Sequence, residues 1–77
     1  MNTYSDKFRL WISDCMQKNS IESYSELASR IGVSRQTLHT WINDPTKLKK
    51  YYLAGIMYIL NYRNATLDTL CYMFGIS

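Results

Sequence analysis

An all-α fold of five short helices follows from three observations on this chain of 77 residues. Apolar residues recur at three- and four-residue intervals, the spacing of helices buried along one face. Serine, threonine and glycine stand where those periodic stretches begin or end, and these are the residues that cap or terminate helices. Hydrophobic content of 47%, with only three glycines and one proline, is that of a globular protein with little room for linkers or disorder. No strand is needed anywhere, and no repeat or low-complexity segment is visible.

The first helix is predicted over Tyr4 to Lys18, because Tyr4, Phe8, Trp11, Ile12 and Cys15 share one face and Leu10 falls opposite. A loop through Asn19 follows, with Ile21 tucked under the next segment. Ser23 and Glu26 have the spacing of a capping box, in which the serine accepts the Glu26 N–H and the glutamate reaches back, so a helix starts at Tyr24. Leu27, Ala28 and Ile31 form its apolar face, with small Ala28 where a second helix can cross closely. Gly32 stops this helix in the left-handed conformation, Val33 plugs the corner, and Ser34 caps a third helix that buries Leu38, Trp41 and Ile42. Two capped amphipathic helices joined by a tight glycine turn are a helix-turn-helix. Pro45 then breaks the chain. The fourth helix is expected from Leu48 to Tyr62, with Leu53, Ile56, Met57 and Leu60 inside. Thr66 caps the fifth, which buries Leu67, Leu70, Cys71 and Phe74.

Length is that of a single domain over residues 1–77. By size scaling such a chain buries only about two thirds of its unfolded surface, so it requires an efficient helical core or a partner. The most apolar run, Tyr51 to Leu60, is too short to span a bilayer, and the N-terminus lacks the basic-then-apolar order of a signal peptide. A soluble, cytoplasmic protein without membrane contact is expected. Cys15 and Cys71 lie far apart on predicted inner faces and read as reduced, buried thiols.

Charge is concentrated. The net charge is +3, but Arg30, Arg35, Lys47, Lys49 and Lys50 stand against Asp44 alone between residues 30 and 50, a net +4 around the third helix and the loop after it. A cationic patch of this kind attracts a phosphate backbone through counterion release. With Leu38, Trp41 and Ile42 inward, a rotation of about 100° per residue puts Gln36, Thr40 and Asn43 at the centre of the outer face, with Arg35 beside them in the first turn. Helices of this class turn their N-terminal residues to base edges. Arg35 suits guanine O6 and N7, Gln36 suits adenine N6 and N7, and the methyl of Thr37 or Thr40 can meet a thymine methyl. Expected phosphate contacts are Ser23, Tyr24 and Ser34 at the helix starts, His39 toward the side of the third helix, Asn43, and Lys47, Lys49 and Lys50 beyond it.

The run Glu26-Leu27-Ala28, Ile31-Gly32-Val33-Ser34, Leu38 and Trp41 resembles the helix-turn-helix of the phage Cro and C1-type repressors, the XRE family. Thr66 to Leu70 is similar to the start of that family's fifth helix. The resemblance implies a lambda repressor-like DNA-binding fold, and Arg35, Gln36 and Thr40 match its usual base-reading sites. The chain departs from the family pattern by about one extra residue near Glu22, by Tyr24 where glutamine is common, and by Asp44-Pro45 in place of the usual glycine.

Enzyme chemistry has little to stand on. The one histidine joins no plausible metal site with the two cysteines, the carboxylates are scattered, and no glycine-rich phosphate loop exists. No cofactor, metal or small-molecule substrate is expected. Tyr51, Tyr58 and Tyr62 fall on the fourth helix opposite its core face with Gly55 between them; such a stripe fits a homodimer interface or a helix buried on two sides. The expected function is a sequence-specific DNA-binding transcriptional regulator, a repressor of phage or mobile-element type. The alternatives are a protein-interaction module on the same scaffold, such as an antitoxin or an inhibitor of a host protein, and an accessory DNA-binding factor in recombination or packaging.

Overall fold

A computed structural model describes residues 3–77; the first two residues of the expected domain lie outside them. The order is α1 (Thr3–Lys18), α2 (Tyr24–Ile31), α3 (Arg35–Asn43), a 3₁₀ turn (Pro45–Lys47), α4 (Lys50–Ile59) and α5 (Leu67–Phe74). Five α-helices and no strand are therefore present among the described residues, as the periodicity requires. They enclose one core in which Phe8, Ile12, Leu27, Leu38, Leu53, Leu70 and Phe74 are all but inaccessible. Phe8 meets Phe74 edge to face at 5.2 Å, which joins the first helix to the last. Burying each such side chain contributes about 1.5–3 kcal/mol, so these contacts are what make so short a chain fold.

The face of α1 differs from the expected one at its start. Phe8, Trp11, Ile12 and Cys15 are buried, but Tyr4 is 43% exposed and Ser5 is buried instead. The Ser5 hydroxyl donates to the Ile42 carbonyl at 2.7 Å, so a polar group serves as the joint between α1 and the end of α3. The Tyr4 ring lies over Gly75, where an added Cβ would come within 2.7 Å of it.

The caps of the motif stand where the residues place them. Ser23 accepts the Glu26 N–H at 3.1 Å, and Gly32 adopts φ 78°. The Val33 N–H reaches the Ala28 carbonyl at 3.0 Å and closes the turn. Only half of the capping box forms. Glu26 turns along the helix to pair with Arg30 at 3.2 Å rather than back to Ser23.

Helix α4 is shorter at both ends than the expected Leu48 to Tyr62. Asp44 caps the 3₁₀ turn by accepting the Thr46 N–H, and the Leu48 N–H bonds the Pro45 carbonyl at 3.0 Å, which turns Leu48 into the core before the helix begins. At the far end Asn61 has φ 54°, and the Tyr62 N–H returns to the Met57 carbonyl at 2.9 Å. The Asn19 amide donates to the carbonyls of both Cys15 (2.8 Å) and Leu60 (2.9 Å), tying the ends of α1 and α4 together. Met57, expected in the core, is only partly buried. In α5, Thr66 accepts the Thr69 N–H at 3.2 Å, and Gly75 at φ 69° turns Ile76 inward. Cys15 and Cys71 are buried and unbridged. Burial, with Asp14 adding to it, pushes the Cys15 thiol up to about 11.

Candidate nucleic-acid interface

The outer face of α3 begins with the packing that turns it outward. Leu27 and Ala28 of α2 and Leu38, Trp41 and Ile42 of α3 are buried, which leaves Arg35, Gln36, Thr40 and Asn43 exposed and Thr37 and His39 half-buried. Gln36, Thr40 and Asn43 follow one another at four and three residues, a single stripe along the helix. The hydroxyls of this stretch have distinct commitments. Ser34 accepts the Thr37 N–H at 3.1 Å and donates to Thr37 Oγ1 at 2.9 Å, so its own hydrogen is used while that of Thr37 is left over. Thr40 donates to the Gln36 carbonyl at 3.1 Å. The side chains of Arg35 and Gln36 enter none of the hydrogen bonds or ion pairs found among the described residues.

Two contacts tie α3 to its neighbours at the surface. Tyr24, at the start of α2, meets His39 edge to face at 5.5 Å and 89°. Arg9 of α1 donates through Nη2 to Asn43 Oδ1 at 2.9 Å. Sequence reading missed Arg9: its partner lies 34 residues away, and no periodicity or cap signals such a pair.

The cations of the +4 stretch divide into two sets. Arg30 is paired with Glu26, and Lys50 reaches across to Asp68 of α5 at 2.9 Å. The hydrogen bond that Lys50 donates to Asp68, and then the Asp68 charge, raise the Lys50 pKa. Lys50, expected beside Lys47 and Lys49 on a phosphate, is thus turned to α5. Arg35, Lys47 and Lys49 are exposed and take part in none of the ion pairs found among the described residues. The tyrosine stripe is also altered. Tyr51 (70% exposed) and Tyr58 (86%) stand out from α4 with Gly55 between them. Tyr62 does not join them: it lies beyond the shortened helix, half-buried, edge to face with Trp11 at 5.3 Å.

No group of three or more His, Cys, Asp or Glu is placed to hold a metal among the described residues, and none of the described helices is long and apolar enough to cross a membrane. A capped helix pair with a glycine turn, presenting a polar second helix beside exposed cations, defines a helix-turn-helix domain. The pattern of the Cro/C1-type HTH DNA-binding domain matches residues 12–77, and the chain belongs to that family. The match takes in both motif helices, α4 and α5, and begins three residues after Arg9. No curated protein and no solved structure matches the chain.

Proposed function

We propose that residues 1–77 act as one sequence-specific transcriptional regulator of repressor type, binding double-stranded DNA in the cytoplasm as a two-fold dimer. The observation that carries this reading is the first turn of α3, where Arg35 and Gln36 are exposed and uncommitted, together with Lys47 and Lys49 beyond the other end of that helix, which balance no carboxylate. Arg35 reads guanine and Gln36 reads adenine, while Thr40 and Thr37 border them. Thr40 spends its hydroxyl on the helix, which leaves its methyl as the group for a thymine. Ser23 accepts in its cap and keeps its hydrogen for a phosphate, as Thr37 does in place of Ser34. Tyr24, His39 and Asn43 border the backbone strands, and Lys47 and Lys49 hold one of them by charge. Lys50 contributes less, because Asp68 competes for it.

The dimer reading rests on Tyr51, Gly55 and Tyr58, which lie one helical turn apart on α4, and on the apolar groove of about 70 Å³ beside them, lined in part by Ile31, Val33, Tyr52 and Ile59. A second copy seated there sets two α3 helices about 34 Å apart, one turn of duplex. The phage or mobile-element setting is drawn from the family resemblance and the small size. Selecting bound duplexes from a random pool tests the proposal. The expected product is an imperfect inverted repeat with half-sites about 10 base pairs apart. An enriched single half-site removes the dimer, and a pool that stays random removes sequence-specific regulation.

A further inference from the structure

We propose that Arg9 is a phosphate clamp at the far end of the reading helix, positioned by Asn43. The inference rests on the DNA-binding reading above and adds to it a contact from α1. Arg9 Nη2 donates to Asn43 Oδ1 at 2.9 Å, and both residues are exposed. Asn43 is the last residue of α3 and ends the stripe begun by Gln36 and Thr40. One turn before Arg9, the buried Ser5 hydroxyl donates to the Ile42 carbonyl at 2.7 Å, which fixes the register of α1 against the end of α3 where the Arg9 side chain departs.

The charge of Arg9 is available. It belongs to none of the three ion pairs found among the described residues, and its partner is a neutral amide. A guanidinium carries five N–H donors in a planar fork, of which the Asn43 oxygen takes one. The others remain for a phosphate, whose oxygens arginine grips two at a time.

Helix length places that phosphate. At about 1.5 Å per residue α3 is roughly 13 Å long, close to the width of the major groove at about 12 Å. With Arg35 and Gln36 at the base edges, the Asn43 end emerges at the groove rim, where the sugar–phosphate strand runs. Helix α1 also packs on the 3₁₀ turn that carries Lys47, so the clamp and the lysines address the same strand.

Affinity measured over a salt series, on the selected duplex and on an unrelated one, tests the clamp in the full chain. Arg9→Ala is expected to weaken both duplexes alike, roughly fivefold near physiological salt, and to lower the salt slope by about one. Arg9→Lys should restore the slope and part of the affinity. Asn43→Ala should keep the slope while lowering affinity, since the charge stays and its positioning goes. Melting temperatures should match the wild type. Wild-type affinity and slope in Arg9→Ala overturn the clamp and leave the reading helix intact. A loss confined to the selected duplex overturns it as well, because a clamp does not read sequence, and so does an Arg9→Lys protein that behaves like Arg9→Ala. A wild-type chain that binds neither duplex overturns DNA binding and the clamp together.

Discussion

The motif helices and α4 are packed with equal care, yet their ends are decided by different forces. Leu27 and Leu38 in the motif and Leu53 in α4 are all fully buried. Around α2 and α3, however, Ser23, Gly32 and Ser34 make local bonds that start and stop the backbone wherever they stand in the chain. Helix α4 has no side-chain cap at its N-terminus and ends on Leu60. Its boundaries come from Leu48 and Leu60, which turn inward at either side, and from Asn19, which holds the Leu60 carbonyl from a different helix. Locally capped helices form the helix-turn-helix, and a helix held by tertiary contacts packs against it.

Removing the anchors of α4 should therefore cost more than removing the caps of the motif. Leu48→Ala and Leu60→Ala should each destabilise the domain by about 2–5 kcal/mol, the usual range for a buried leucine. Ser23→Ala and Ser34→Ala should each cost about 1 kcal/mol, the worth of one cap. Chemical denaturation of the four variants measures both; caps as costly as the leucines would erase the distinction.

Gly55 bears on the stability of α4 from the other side. It is the glycine inside α4, and a Cβ there meets nothing within 4 Å. Gly55→Ala should therefore stabilise the fold by about 0.5–1 kcal/mol through helix propensity alone. If the groove beside Gly55 seats a second copy, the same variant should lose cooperativity on a full operator while gaining thermal stability. A gain in melting temperature with unchanged cooperativity moves the dimer elsewhere.

A smaller effect follows from Cys15. Its thiol is neutral in the fold and its pKa is raised from 9.0 to about 11, so its contribution is complete below pH 9 and is lost as pH climbs through 11. The fall in melting temperature between those two pH values should be shallower in Cys15→Ala than in the wild type. Equal slopes would mean that the Cys15 thiol ionises as easily in the fold as in the open chain.

The same contrast explains what could be read in advance. The starts of α2, α3 and α5 and the turn at Gly32 were legible because each depends on a residue and its neighbours three or four positions away. So was the outward stripe of Gln36, Thr40 and Asn43 with Arg35 beside it, since burial of Leu38, Trp41 and Ile42 leaves them no other side. The ends of α4 were not legible, because apolar periodicity runs on through Leu48, Leu60 and Tyr62 whether or not the backbone remains helical. Tyr4 fits the inner spacing of α1 but lies over Gly75, a residue at the other end of the chain. Lys50 pairs with Asp68, and Arg9 with Asn43, across separations that no local pattern encodes.

On the proposed function, the start of α3 should read sequence while the lysines after it only hold the backbone. Two double variants on the selected duplex and an unrelated one, over a range of salt, test it directly. Arg35→Ala with Gln36→Ala should erase most of the preference between duplexes, and Lys47→Ala with Lys49→Ala should keep the preference while lowering the salt slope by about two. Both proteins should remain folded by circular dichroism. Full preference retained without Arg35 and Gln36, in a folded protein, would contradict the account.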